Sequence, residues 1–570
     1  MNLTSCHITN LWASLTVKTL FNLGVDQFCI APGSRNAPLT LALADLKRQH
    51  PGVQLYSHFD ERGLGFFALG LAKGSHRPVA VITTSGTAVP NLYPSVVESY
   101  QTRLPLIILS ADRPPELLDC GANQAIKQEK LFDLNTVFSQ QLDLPSTAIP
   151  AQQLVNTVSL AVKQALGLIG EGDPGPVHIN CPYREPLYNT SGQENHSGYL
   201  DGLQMASGTD RPEPQAPVSG SVMEWCKPGL IIAGGLTPAE SQAVLAFSHR
   251  TNWPVIADIS SQLRLTDDDH ILHFADLLLA SPVATRLFDQ FTQVIQFGGR
   301  ITSKRVHQWL ARFKGKYLIV SPYNSYLDPH RKATQIRSSI SHYCATQGAD
   351  HYPTTQPLIE MNASTGRLLN RHLAQKFNEL TVVKKLSESI PEDSALFVGN
   401  SLSIRLADML ATPGHGNPVY SNRGASGIDG LLASALGCAA HHPEGLTLLI
   451  GDLSLLHDLN SLAMTGRLTT PVVIVVLNND GGSIFNLLPV DSLPEVKKTF
   501  FQCPHGLTFK GACAMFSIHY HQPRSLGEFA HRYQQAFEHR GCTLIEINVP
   551  GDQSTGAIRA LDNLHLVDRI

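Results

Sequence analysis

The sequence predicts an α/β protein of three domains, each a mainly parallel sheet flanked by helices. Three observations predict it. At 570 residues the chain is several times longer than a single hydrophobic core grows. Short apolar, β-branched runs alternate with helical patterns along its whole length, as βαβ units require. Most of those runs end in Gly, Ser, Asp or Asn, where a helix begins, and ligands of parallel sheets gather at such carboxyl ends.

Taken in order, DQFCIA reads as a strand buried on both faces. It passes into APGSRNAP, where Ser34 and Arg35 precede a helix whose first turn suits Pro38, making an anion-receptive corner. A strand at 53–59 runs into Glu61 and a helix with Leu64, Ala68 and Leu71 on one face. Gly63, Gly65 and Gly70 in that helix allow close approach of other backbone. Their spacing is not GxGxxG, so this is no dinucleotide fingerprint. RPVAVITT ends in the turn Ser85-Gly86-Thr87, and LPLIILS leads to Arg113 and then to Gln124. GLIIAGG and TQVIQFGG supply strands in the middle of the chain, after which Lys304 and Arg305 open a helix. Arg405 lies one helical turn beyond Ser401, so both face one side. Arg423 sits in a glycine-bearing loop before the helical pattern LLASALGCAA, and His441-His442 read as the cap that ends it.

Residues 189–222, polar and rich in Gly, Ser and Pro, read as a linker or long surface crossing. A weaker boundary lies near 345–365. The chain therefore divides at 1–188, 189–357 and 358–570.

The most informative stretch is 445–485. GLTLLIGD ends in Gly451-Asp452, a helix with Leu455, Leu459 and Leu462 on one face follows, and PVVIVVLNN ends in Asn478-Asn479-Asp480-Gly481. Two strand ends thus deliver oxygen ligands to one place. Mg²⁺ takes octahedral oxygen coordination from a few protein oxygens and from phosphates. Asp452 can offer a carboxylate, Asn479 an amide oxygen and Gly481 its main-chain carbonyl, while the amides of Leu453 and Ser454 can hold a phosphate. Read alone, Asp452 also suits a helix N-cap, Asn479 a turn, and Glu61 an ordinary first-turn glutamate.

Composition excludes several function classes. Apolar residues at 43% and charged residues at 16% belong to an ordinary globular protein. A formal charge of −4 leaves no electrostatic footprint for nucleic acid. The ten cysteines form no CxxC pair and read as reduced, mostly buried thiols of a cytoplasmic protein. The start MNLTSCHITNLWASL lacks a signal-peptide pattern, and PVVIVVL is far too short to span a bilayer.

Together, APGSRNAPLTLAL, HFDERGLGFFALGLAKG, TTSGTAVPNLYPSVVE, SADRPPEL, GANQAIKQ, SNRGASGIDG, and GDLS with NNDGGSIF resemble the motifs of thiamine-diphosphate-dependent enzymes. Among these the chain resembles, over nearly its whole length, the 2-succinyl-5-enolpyruvyl-6-hydroxy-3-cyclohexene-1-carboxylate synthase family. The resemblance implies the thiamine-diphosphate-binding fold, with a pyrimidine-binding domain at 1–188, a central domain with its linker at 189–357 and a diphosphate-binding domain at 358–570. It implies a homodimer with active sites at the subunit interface, or a tetramer made of two such dimers. It also implies thiamine diphosphate and Mg²⁺, or Mn²⁺ in its place. The expected reaction is decarboxylation of 2-oxoglutarate and addition of its succinyl unit to isochorismate, in menaquinone biosynthesis.

The same resemblance assigns residues. Glu61 stands at N1′ of the cofactor's aminopyrimidine, with Ser85 and Gly86 in the pyrimidine-domain turn. Gly451, Leu453, Ser454 and Asn479 lie against the diphosphate, with Asp452, Asn479 and Gly481 on the metal. Ile428 wedges the cofactor, and Ile484 and Phe485 pack near the reacting carbons. Ser34, Arg35, Arg113, Gln124, Ser401, Arg405 and Arg423 line the substrate pocket, with Lys304 and Arg305 at its rim; arginine suits dicarboxylate substrates because its planar fork binds both oxygens. Many enzymes of the superfamily have Gly where this chain has Leu453, a departure that fits the synthase family. The competing expectation is another thiamine-diphosphate-dependent 2-oxoacid decarboxylase or an acetohydroxyacid-type synthase.

Overall fold

Three parallel sheets organise the chain in a computed structural model that describes residues 7–170, 172–188, 196–208, 223, 227–347, 356–374, 376–487 and 493–563. In the first sheet the strand order is Gln54–Ser57, Gln27–Ile30, Val79–Thr83, Leu106–Asp112, Val177–Pro182, Phe138–Gln141. Every residue of Val79–Thr83 and Leu106–Asp112 is buried, because helices cover both faces, and this is why Val79–Ile82 and Leu106–Leu109 are continuously apolar. The second sheet runs Thr334–Arg337, Lys316–Ser321, Gln293–Phe297, Gly229–Ala233, Val255–Ala257. The third runs Val419–Tyr420, Ala395–Val398, Leu446–Gly451, Pro471–Asn478, Gly541–Asn548, His519–His521. All seven strands expected from apolar runs are present, and the α/β class with three sheets holds.

The chain forms two compact units. One comprises Met1–Pro212, Asn422–His441 and Asp458–Met464; the other comprises Glu213–Ser421, His442–His457 and Thr465–Ile570. In the first, helix Leu431–Ala439 packs on helix Glu61–Ser75 with almost no side chain between them. A Cβ at Gly70 would stand 2.0 Å from the Ser434 carbonyl oxygen, and one at Gly437 2.1 Å from that of Phe67. The expectation that Gly70 admits other backbone is met here. Tyr199 anchors part of the expected linker to this unit: Trp12 Nε1 donates to its hydroxyl at 3.0 Å, and the hydroxyl donates to Ile149 O at 2.7 Å. The rest of that linker, 189–195 and 209–222, lies outside the described residues, as does 348–355 at the second expected boundary.

In the second unit the middle and third sheets share one apolar core, including Leu230, Ile232, Leu396 and Val398. Each such fully buried side chain contributes about 1.5–3 kcal/mol. Arg264, fully buried, donates to Ala411 O at 2.7 Å and to Asp408 O at 2.9 Å, tying the two sheet layers together.

The helix expected to carry Leu455, Leu459 and Leu462 on one face is interrupted. Asp452–His457 is α-helical and Leu459–Arg467 is a 3-10 helix. Between them Asp458 turns its buried carboxylate to accept from Ala433 N at 2.9 Å and Ser461 Oγ at 2.7 Å. Such side-chain bonds to the backbone compete with continued helix. Eight of the cysteines fall among the described residues, all as free thiols, with Cys120 and Cys503 exposed and the other six buried. Among the described residues no helix is long and apolar enough to cross a membrane.

A buried polar network fixes the carboxyl ends of the first sheet. Ser110 Oγ lies 2.7 Å from His178 Nε2 and donates to Asn180 Oδ1 at 2.7 Å, so the imidazole proton sits on Nε2. Nδ1 is buried without a partner. Burial therefore lowers the His178 pKa to about 4, with Asp133 pulling weakly the other way. Between the ordinary value of about 6.5 and this value the unfolded chain binds a proton that the folded one refuses. His178 thus contributes stability that is fully present above pH 6.5 and is lost as pH falls through 4. The melting temperature should drop on acidification from pH 7 to 5, and His178→Gln should flatten that slope by one proton, about 1.4 kcal/mol per pH unit. An unchanged slope in the variant would show that His178 is not the group responsible.

Candidate functional site

The register of the third sheet pairs Ile450 with Val476 and Gly451 with Leu477, so Asp452 and Asn479 emerge from neighbouring strand tips. Asp452 is buried. Its Oδ1 accepts from Leu453 N at 2.7 Å, and its Oδ2 accepts from Gly481 N at 2.8 Å and lies 3.2 Å from His505 Nε2. Because Leu507 N donates to His505 Nδ1 at 2.9 Å, the ring proton is on Nε2 and points at Asp452. Burial raises the Asp452 pKa, and the bonds from Gly481, Leu453 and His505 oppose it. The Leu453 amide, expected to face a phosphate, is thus engaged by Asp452. Ser454 is buried beside it.

Asn479 is held from behind. Its Nδ2 donates to Glu379 Oε1 at 2.7 Å, while its Oδ1 is buried with no hydrogen-bond partner. Glu379, fully buried, takes a second bond from the Ser554 hydroxyl. Burial pushes its carboxyl up to about 7 against the bond from Asn479, and the Asp452 charge adds to the rise.

The loop between the ligands is strained in a defined way. Asp480 has φ 59° and Gly481 φ 123°, where a Cβ would stand 2.2 Å from Gln502 O. The segment 502–506 straps it down. Gly482 N donates to Gln502 O at 2.6 Å, and His505 N and Gly506 N donate to Asp480 Oδ1 at 2.9 and 2.7 Å. Ile484 is half-buried against the core of this unit, and Phe485 meets Phe501 edge-on at 5.6 Å.

These donors fit a hard divalent cation: a carboxylate, a main-chain carbonyl at a glycine, and a buried amide oxygen that the protein leaves unsatisfied. Among the described residues no group of three His, Cys, Asp or Glu side chains forms a metal cage.

In the first unit Glu61 opens the helix Glu61–Ser75, but Asp60 is its cap, accepting from Arg62 N at 3.0 Å and Gly63 N at 3.3 Å. Asn460 Nδ2 donates to Asp60 at 3.1 Å, and Asn91 Nδ2 to Glu61 Oε2 at 3.4 Å. Glu61 is therefore spared the capping duty and only lightly engaged. The Ser85-Gly86 turn is fixed by Gln128, whose Oε1 accepts from Gly86 N at 2.8 Å and whose Nε2 donates to Asn180 Oδ1 at 2.9 Å. Ser85 Oγ is buried without a partner. Gln124, exposed and at φ 54°, lies against Gly86. The loop bearing Arg423 and Ile428 is held by Glu98, which accepts from Gly424 N at 2.8 Å and Ala425 N at 2.7 Å. Arg423 is half-buried and Ile428 is 38% exposed, a large apolar side chain presented outward from a pinned loop. His441 and His442 follow the helix end and bond to Gln27 and Tyr420, each at 3.0 Å.

Arg35 and Arg113 form a buried cationic corner. Arg35 Nη1 donates to Tyr183 O at 3.1 Å and its Nη2 pairs with Glu185 at 3.4 Å, but its Nε has no partner. Nη1 of Arg113 is likewise buried and unpartnered. Burial, and then the Arg35 charge, lower the Arg113 pKa, while Asp112 and Glu185 offset part of this. Two neighbouring guanidiniums with unsatisfied N–H groups can receive an anion. Ser34 is exposed beside them.

Elsewhere in the second unit Ser401 caps helix Leu402–Leu410 at φ 66°, and Arg405 Nη1 donates to its main-chain carbonyl. Lys304 is exposed at the start of helix Lys304–Arg312. Arg305 is engaged by Asp276, which also accepts from Ser303 Oγ at 2.5 Å. This pair holds the guanidinium within its own domain, a constraint the Lys-Arg motif does not disclose.

The sequence reading missed Glu379, His505, Gln128 and Glu98. Gln128 and Glu98 lay inside recognised motifs, GANQAIKQ and TTSGTAVPNLYPSVVE, and nothing local marked the other two.

Three families of domain match this chain. "Thiamine pyrophosphate enzyme, N-terminal TPP binding domain" matches residues 12–133, "Middle domain of thiamine pyrophosphate" matches 209–398, and "Thiamine pyrophosphate enzyme, C-terminal TPP binding domain" matches 407–547. A protein of Psychromonas ingrahamii named 2-succinyl-5-enolpyruvyl-6-hydroxy-3-cyclohexene-1-carboxylate synthase is 42% identical, over 96% of this chain and 94% of its own. Proteins of the same name from Shewanella baltica and Aeromonas salmonicida are each 43% identical over 97% of both chains.

Proposed function

This chain belongs to the 2-succinyl-5-enolpyruvyl-6-hydroxy-3-cyclohexene-1-carboxylate synthase family of thiamine pyrophosphate enzymes, and from that premise we propose that it decarboxylates 2-oxoglutarate and joins the succinyl unit to isochorismate in menaquinone biosynthesis. The observation that carries the reading is the buried, unsatisfied Asn479 oxygen beside Asp452, a place made for a cation and the diphosphate it carries.

Asp452, Asn479 and the Gly481 carbonyl hold Mg²⁺, or Mn²⁺ in its place, and Gly451, Leu453 and Ser454 lie against the diphosphate. Bound thiamine diphosphate supplies an electron sink for the pair released when CO₂ leaves the 2-oxoacid. Glu61 holds a proton at N1′ of the aminopyrimidine, a task suited to a carboxylate with few competing partners. Ser85 and Gly86 pack at the same ring, and Ile428 supports it. Arg35, Arg113, Arg405 and Arg423, with Ser34, Gln124 and Ser401, bind and orient the carboxylates of two dianionic substrates. Lys304 and Arg305 stand at the rim, and Ile484 and Phe485 exclude water from the reacting carbons. The working form is a cytoplasmic homodimer, or a pair of dimers, with active sites at the subunit interface. Its domains are 1–188, 189–357 and 358–570.

The test is to mix purified protein with thiamine diphosphate, Mg²⁺, 2-oxoglutarate and isochorismate and to follow the absorbance of isochorismate. Loss that requires all four additions is expected. Turnover of pyruvate alone, with isochorismate untouched, would overturn the substrate assignment in favour of another 2-oxoacid decarboxylase.

A further inference from the structure

We propose that Glu379 is the positioning residue for the cation ligand Asn479, fixing which end of its side-chain amide faces the metal. The inference rests on the reading that Asn479 binds the cation.

An asparagine amide has two ends of similar shape and opposite chemistry: the nitrogen donates and the oxygen accepts. A metal ligand must present the oxygen, and nothing in the strand tip itself enforces that choice. Glu379 enforces it. The first residue of helix Glu379–Ser387, it is fully buried, and its Oε1 accepts from Asn479 Nδ2 at 2.7 Å. With Glu379 ionised, rotating the amide by half a turn would set two oxygens at that distance with no proton between them. The orientation of Glu379 is fixed in turn, because its Oε2 accepts from the hydroxyl of Ser554, in helix Gln553–Asn563. With the nitrogen held behind, Asn479 Oδ1 has no protein partner although it is buried. A chain Ser554–Glu379–Asn479 therefore reaches the ligand oxygen from two helices remote in sequence. Outer partners of this kind tune metal affinity by about 10–100-fold.

The test measures the metal directly on the full-length protein with thiamine diphosphate present, titrating Mn²⁺ and reading the free-ion electron paramagnetic resonance signal. Glu379→Gln keeps the size but offers either an oxygen or a nitrogen to Asn479, so it stops rejecting the flipped amide. Its half-saturation for Mn²⁺ should rise by about 10–100-fold. Ser554→Ala, a milder change that also serves if Glu379→Gln folds poorly, should raise it by about tenfold or less. Asn479→Ala separates the two readings. If Asn479→Ala abolishes Mn²⁺ binding while Glu379→Gln and Ser554→Ala bind as the unaltered protein does, the positioning role is overturned and the metal assignment stands. If Asn479→Ala itself binds Mn²⁺ normally, the assignment of Asn479 falls, and the positioning role with it.

Discussion

Glu61→Gln is expected to lower kcat by about 10²–10⁴-fold, the range that a positioned acid or base contributes, while thiamine diphosphate and Mg²⁺ still bind. The substitution is close to isosteric, and the structure gives three reasons why its effect should stay chemical. Helix Glu61–Ser75 is capped by Asp60, so its start does not depend on Glu61. The one bond made to Glu61 that the structure resolves, from Asn91 at 3.4 Å, can be accepted equally by an amide oxygen. The helix is anchored along its length by close packing at Gly70 against Ser434. Calorimetric binding of the cofactor with Mg²⁺ should therefore be nearly unchanged in the sample whose turnover collapses. Full turnover in Glu61→Gln would remove Glu61 from the proton path. Loss of cofactor binding together with turnover would make it structural.

The parts of this fold that were legible in the sequence are those whose physical cause is local. Strands such as Val79–Thr83 and Pro471–Asn478 are buried on both faces, so their residues have no alternative to being apolar. Of the edge strands Gln54–Ser57 was expected, at 53–59, but others were not visible. Phe138–Gln141, Thr334–Arg337 and His519–His521 are short and partly exposed, and no run of apolar residues announces them. Val177–Pro182 lies inside its sheet yet was hidden for another reason: His178 and Asn180 interrupt its run, because they belong to the polar network with Ser110, Asp112 and Gln128. The break at Asp458 was hidden because its cause is a bond to Ala433.

The site divides in the same way. Residues at strand tips could be picked out because a parallel sheet puts its chemistry there. The residues that hold them could not. Glu98 meets the loop before Ile428 across 326 positions, and Glu379 meets Asn479 across 100. Seen in sequence, Glu379 is only an acidic residue in the first turn of a helix, which the helix dipole would explain by itself. Backbone strain gave no warning either. Gln124, Ser401 and Asp480 are ordinary residue types, yet each adopts positive φ beside or within a candidate site. Such conformations persist only where surrounding structure imposes them.

Asp452→Ala should abolish cofactor-linked stabilisation, with the affinity for Mg²⁺ and thiamine diphosphate falling by about 10²–10⁴-fold. Removing one side of a buried charge interaction costs about 3–5 kcal/mol, and each 1.4 kcal/mol is a factor of ten. The unliganded protein should change far less. Without a cation Asp452 is a buried carboxylate whose own burial works against its charge, relieved by Gly481, Leu453 and His505. Alanine removes that burden while leaving three donors unmatched, two opposed changes that partly cancel. The expected signature is therefore a split. The melting temperature without ligand moves little, whereas the rise normally produced by saturating Mg²⁺ and thiamine diphosphate, worth about 2.7 kcal/mol at a hundred times the dissociation constant, disappears. Asp452→Asn discriminates charge from shape, since it keeps an oxygen for Gly481 but cannot offset the charge of a divalent ion. It should bind the pair better than alanine and much worse than aspartate. Thermal melts of the three proteins with and without ligand decide the matter: an undiminished ligand-induced rise in Asp452→Ala would mean that the metal and the diphosphate are held somewhere else.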